Sequence, residues 1–203
     1  SMVASTIGVM LVAPSLPANT VKEVIAAARA QPGKLNFGSP GPGGGPHLAM
    51  ELFNSVAGLG AVHVPYKGGT PATTATIGGE TVAMFSGTSN ATLIKAGKLH
   101  ALATTGKLRS KALPDVPTIG ETFPGFENSI WIGLFAPTGT PPAVVARLER
   151  AAREAVAEAA IRQKLIDVGV DPRGTSAAEL ATFWDQQLAV WIPIIRASGA
   201  TAD

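Results

Sequence analysis

Cysteine is absent from this chain of 203 residues. Its absence excludes disulfides, thiolate nucleophiles and cysteine metal sites together, and it suits an oxidising compartment and a reducing one alike. Aromatic residues make up only 5% of the sequence, too few to build a stacking platform for single-stranded nucleic acid. Charged residues are sparse at 15%, the net charge is +2, and Lys and Arg form no run. Nucleic acid is therefore not an expected partner. No apolar stretch approaches the ~20 residues of a membrane span. The apolar opening VASTIGVMLVAPSLP is broken by Pro14 and Pro17 and lacks the basic flank of a signal peptide. Against these absences stand 46% hydrophobic residues, enough for a sizeable core, and an excess of turn formers, Gly 23 and Pro 16.

The chain alternates between two periodicities. Val3–Ala13 reads as one buried strand. Thr20-Val-Lys-Glu23 has the spacing of a capping box, and Val21, Val24, Ile25 and Ala28 then mark one helical face that ends at Pro32-Gly33. A short strand over Leu35–Gly38 leads into a loop that is almost pure glycine and proline. From Gly38 to Pro46 only Ser39 is neither. A second helix follows, with Leu48, Leu52, Phe53 and Val56 on one side. The pattern repeats through strands at Ala61–Val64, Thr81–Phe85 and Leu99–Thr104. Helices lie between them, one opened by Thr70-Pro71 as N-cap and first residue and one capped by Thr88 or Ser89. Alternation at this spacing predicts βαβ units and a mostly parallel sheet. After an irregular stretch over 111–128, SIWIGLFAP reads as a strand. A long helix from about Pro142 to Ala160, a short one to Val168 and a terminal helix from Ser176 follow. The terminal helix opens on a second capping box, Ser176…Glu179, and Pro193 predicts a kink in it. Trp184 and Trp191 fit core packing.

Four kinds of chemistry can be weighed against these elements. The histidines at 47, 63 and 100 each lack a second ligand at close spacing, so no metal is expected. Gly87-Thr-Ser89 follows a strand as a nucleophile elbow does, but the second glycine is missing and no histidine lies beyond His100. Dinucleotide and Walker patterns both fail in the glycine loop, which ends in Pro46 and holds no lysine. What survives is a strand feeding a glycine-rich loop into a helix N-terminus. Unpaired amides and the positive end of the helix dipole then face whatever binds there. Without side chains to discriminate a base or ribose, this suits a carboxylate. A flexible surface loop is the competing reading.

The segments GKLNFGSPGPGGGPHLAMELF, HVPYKGGTPA, GGETVAMF, IKAGKLHALATTGKLRSKALPDVPTIGE and WIGLFAPTGTPPAVVARL closely resemble the extracytoplasmic solute receptors of tripartite tricarboxylate transporters, the Bug family. The likeness runs from about Leu11 to the C-terminus. It implies an α/β, type II periplasmic-binding-protein-like fold whose two lobes close on a small carboxylate or dicarboxylate. It also implies no enzyme activity, no cofactor, a periplasmic location, and membrane transporter subunits as partners of the full-length protein. The chain reads as an N-terminally truncated fragment without an export signal: one complete lobe plus the C-terminal part of the other. Residues 1–12 form a strand of the first lobe or hinge, 13–128 the second α/β lobe, and 129–203 the return strand and C-terminal helices of the first lobe.

In this reading Ser39 and the amides of Gly43, Gly44 and Gly45 hold a ligand carboxylate, with His47 touching the loop from the helix start. Tyr66 offers a hydroxyl, and Ser86 and Thr88 line the crevice from the next strand end. Two departures from the family pattern stand out. Gly44 and Gly45 occupy places that usually carry a Ser or Thr pair, and Ser86-Gly87 replaces an Asp-Asn that can hold a ligand ammonium. Plain carboxylates are therefore expected over amino acids. The alternative is a small α/β hydrolase or transferase using Ser89. A fragment of this kind is also expected to expose apolar surface and to form a homodimer.

Overall fold

A computed structural model describes residues 1–110, 112–167 and 169–198, and the side chains of Ser89 and Ser198 lie outside it. Val168, where the sequence ends its short helix, is outside the described residues too. The chain divides into two units. One joins Ser1–Thr6 to Ile130–Trp191; the other comprises Ile7–Ser129 and the stretch that begins at Ile192.

The larger unit holds a five-stranded sheet in the order β4-β3-β5-β2-β6. These strands are β2 (Val9–Val12), β3 (Asn36–Ser39), β4 (Val62–Pro65), β5 (Ala83–Ser86) and β6 (His100–Thr104). β3 runs parallel to both β4 and β5. β2 is antiparallel to β5 and to β6, so the sheet is mixed where the alternation of elements predicted a mostly parallel one. Only β2 opposes the other strands: the connection through α1 returns β3 in the opposite direction, with β5 between the two, and strand–helix alternation in the sequence does not distinguish that return from a parallel one.

All four residues of β2 are fully buried. Met10 and Val12 join the cluster under α1 (Val21–Ala30) and α2 (Gly45–Ala57), whereas Val9 and Leu11 join the one under α3 (Gly69–Gly78). This is the period-2 alternation of a strand covered on both faces. Phe37, Phe53 and Phe85 form the centre of the first cluster. The Phe37 and Phe85 rings stack 5.7 Å apart, and Phe53 meets each at 6.2 Å.

Helix boundaries follow the sequence signals closely. Thr20 accepts the Glu23 amide at 3.2 Å as the N-cap of α1, though the Glu23 carboxylate reaches the Asn19 amide rather than that of Thr20. The buried face of α1 is Val21, Val24, Ile25 and Ala28. In α2 the buried set is His47, Ala49, Met50, Phe53 and Ala57, while Val56 is 41% exposed. Of the expected face Leu48, Leu52, Phe53 and Val56, only Phe53 is fully buried, and the buried side is rotated towards His47 and Met50. α3 begins at Gly69 after a Gly68 cap with φ 115°, ahead of the Thr70-Pro71 pair.

The single strand read over Val3–Ala13 is broken at Gly8 into β1 (Met2–Ile7) and β2, which belong to different sheets. The break has a steric cause. The Gly8 amide donates to Thr105 Oγ1 at 2.7 Å, and a Cβ at Gly8 would stand 2.9 Å from that same oxygen. The Thr105 amide in turn donates to the Gly8 carbonyl. Only glycine lets the strand approach this threonine so closely.

The smaller unit has a three-stranded sheet, β7-β1-β8, with β7 at Ser129–Gly133 and β8 at Asp171–Pro172. It also carries α5 (Pro142–Ala157), α6 (Ala159–Asp167) and most of α7 (Ala177–Ser198). Ser176 and Glu179 exchange both bonds of the second capping box. α7 continues as a helix through Pro193. Trp131 meets Phe183 and Trp184 edge-on, at 5.5 and 5.7 Å.

Candidate carboxylate site at the glycine loop

Parallel strands bring their C-terminal ends to one sheet edge, where open α/β sheets bind ligands. Here Ser39 closes β3 and pairs in register with Pro65 of β4, and Ser86 closes the neighbouring β5. The loop from Pro40 to Gly44 leaves that edge and enters α2. Gly41 (φ 149°) and Gly43 (φ 72°) both take left-handed backbone, which non-glycine residues rarely adopt.

α2 starts without help. Gly44 is its N-cap, no side chain caps it, Pro46 lies in its first turn, and that turn has no acidic residue. Its N-terminal dipole is therefore left for another anion to balance. Among the described residues the amides of Gly44 and Gly45 have no hydrogen-bond partner within the chain, and both glycines are exposed.

The other residues expected in the site are placed differently. The Gly43 amide points inward and donates to His47 Nδ1 at 3.0 Å. Ser39 is buried, and its hydroxyl accepts from the Gly41 amide at 3.1 Å, lies 3.0 Å from the Gly41 carbonyl and meets His63 Nε2 at 2.5 Å. Its hydrogen-bonding capacity is thus used inside the protein. The Tyr66 amide donates to the Ser39 carbonyl, but its ring turns under Gly38 and into the cluster of Val9 and Leu11. Burial and then the neighbouring Glu80 carboxylate raise the Tyr66 phenol above its ordinary pKa. Ser86 Oγ accepts from Asn90 Nδ2 at 2.9 Å, and Thr88 is buried in a single 3-10 turn, Thr88–Asn90. The Ser89 side chain, on which the hydrolase alternative depends, is outside the described residues.

His63 is the participant that the sequence concealed. Taken alone it looked like a failed metal ligand. In the fold its ring stacks on His47 with centroids 3.8 Å apart and planes 18° off parallel. Burial, and then the His47 ring, lower its pKa from 6.5 to about 4. A signal lay in the strand itself, where His63 sits between two valines on an element beside the loop strand. Its partner is sixteen positions away on α2, so only the tertiary fold reveals the pair.

Two cavities, of about 600 and 630 Å³, are lined wholly by residues of the smaller unit.

Known proteins resemble this chain over nearly its whole length. A UPF0065 protein of Bordetella pertussis is 38% identical over 198 residues, which are 94% of this chain and 60% of that protein. The chain thus spans three-fifths of that relative. The solved structure of Rpa4515 of R. palustris with adipate superposes with a TM-score of 0.87 at 29% identity, covering 98% of this chain and 68% of that one. MatC from Rhodopseudomonas palustris, with bound malate, gives 0.84 at 27% identity, covering 96% and 68%. The family model of the tripartite tricarboxylate transporter family receptor, TctC, matches residues 1–200. This chain belongs to the TctC family of transport receptors.

Proposed function

We propose that this chain is the main part of a periplasmic solute receptor that binds a small mono- or dicarboxylate and delivers it to membrane transporter subunits. The larger unit is one lobe and the smaller unit is part of the other. The observation that carries this reading is the unpartnered pair of Gly44 and Gly45 amides at the uncapped N-terminus of α2. Backbone donors backed by a helix dipole recognise a carboxylate without contributing a side chain. Two relatives with the same fold, Rpa4515 and MatC, hold adipate and malate. Ser86-Gly87 offers no carboxylate to an amino group, so a ligand ammonium would be desolvated without a partner. Plain carboxylates are favoured over amino acids for that reason. The exposed apolar side chains of the smaller unit support a homodimer of the 203 residues in isolation.

The test is an amide-resolved NMR titration with adipate, malate, aspartate and glutamate. Adipate or malate should shift the Gly44 and Gly45 amides, and the amino acids should leave them nearly unmoved. Shifts confined to residues far from 39–47, or a preference for aspartate or glutamate, would sink the proposal.

A further inference from the structure

The glycine loop has to hold two exposed amides although only Pro40 and Pro42 stiffen it and Gly41, Gly43 and Gly44 are free to rotate. The cause of its order lies beneath it. At its far end the Gly43 amide donates to His47 Nδ1 at 3.0 Å. That bond requires a lone pair on Nδ1 and so places the ring proton on Nε2, which faces Glu51 Oε1 at 3.5 Å. At its near end Ser39 Oγ accepts from the Gly41 amide and bonds His63 Nε2. The two rings stack at 3.8 Å. His47 is 4% exposed and Ser39 1%, so each glycine amide is held by a buried side chain although Gly43 itself is exposed. Gly41 and Gly43 are the two left-handed residues of the loop, and each is tied down at its own amide.

We infer that His47 and His63 form a stacked post that fixes the glycine loop at both ends and thereby sets the positions of the Gly44 and Gly45 amides. They are positioning residues, and neither touches the ligand. The inference rests on the reading of Gly44 and Gly45 as carboxylate donors only for its consequence, not for its geometry. It also explains how a loop stripped of hydroxyl side chains can still be preorganised. Order that would come from side-chain bonds along the loop comes from two imidazoles below it. The chemistry demanded at each place is specific: an acceptor at the Nδ1 position of residue 47, and a hydrogen-bonding atom at the Nε2 position of residue 63.

Asparagine carries an amide oxygen near the Nδ1 position, and glutamine reaches the Nε2 position. The substitutions His47→Asn and His63→Gln should therefore keep the loop, whereas His47→Leu and His63→Leu keep bulk and lose the bond. In isotope-labelled wild-type protein near neutral pH, a scalar coupling across the hydrogen bond should join the Gly43 amide nitrogen to His47 Nδ1. The Gly44 and Gly45 amide shifts should stay close to wild type in H47N and H63Q and move in both leucine variants. Adipate affinity, where wild type binds adipate, should fall about tenfold or more in H47L and be largely retained in H47N, as expected for one buried hydrogen bond.

Absence of the coupling in wild type would overturn the inference without any mutant having to fold. Unmoved Gly44 and Gly45 shifts in both leucine variants would overturn it as well. So would an H47N loop as displaced as that of H47L, because a purely space-filling role would not distinguish asparagine from leucine by its acceptor. Adipate that leaves wild-type Gly44 and Gly45 unshifted would defeat the carboxylate reading alone. The coupling and the ligand-free shifts would then still decide the post.

Discussion

His63 combines the roles of partner and neighbour in one ring. It bonds Ser39, stacks on His47, and is kept neutral by burial and by that neighbouring ring, with a pKa of about 4 against an ordinary 6.5. The sign of the consequence is fixed by linkage. Between pH 4 and 6.5 the unfolded chain binds the proton that the folded chain refuses. The contribution is fully present above pH 6.5 and is lost as pH falls through 4. Urea midpoints measured across this window should rise with pH in wild type, with a flatter rise in His63→Gln. Equal slopes in the two proteins would contradict the assignment. At this scale the sequence displayed the loop but not the bonds that its members make inside the fold. Ser39 and Gly43 looked like ligand donors because a hydroxyl and an amide beside a helix start are donors by type. Their bonds to His63 and His47 depend on how β4 and α2 pack. The exposure of Gly44 and Gly45 at a helix start was legible because it depends on the local backbone alone.

At the scale of elements, α2 links the core to the loop. Its first turn frames the glycines, and two turns later Phe53 is fully buried against Phe37, Phe85 and Phe123. Phe53→Ala should cost about 3–5 kcal/mol of folding stability, the usual range for emptying a buried aromatic site. Equilibrium urea denaturation checks this, and a loss below about 1 kcal/mol would mean that the aromatic cluster is not the anchor of the helix. Caps and strand cores were readable because their signals are local. Thr20 and Ser176 need only the residues three places on, and β2 announces its burial by composition. Strand direction and the break at Gly8 were not local. The chain looks continuous from Val3 to Ala13, and the break arises from Thr105, almost a hundred residues away.

For the molecule as a whole, the distribution of apolar surface is uneven. In the smaller unit Ile132 and Phe135 are each 59% exposed, and Leu134, Val144, Leu148 and Trp184 are exposed as well. An apolar trough of about 630 Å³ runs among several of them. Exposure on this scale favours association, and a net charge of only +2 opposes it weakly. Sedimentation velocity over a rising concentration series should show self-association of the 203 residues. Phe135→Glu should reduce it, and a strictly monomeric profile at high concentration would refute the expectation.

Composition, caps and strand patterns determined the element order, and the motifs identified the receptor family, because these depend on residues close together in the chain. The glycine loop likewise declared itself as a strand-to-helix connection without a side-chain cap, since glycine, proline and a helix start suffice for that. The tertiary structure alone decided that the sheet is mixed, that Gly8 divides two strands, and that two distant histidines stack beneath the loop. Each of these follows from long-range packing, which a one-dimensional pattern of polarity and spacing does not encode.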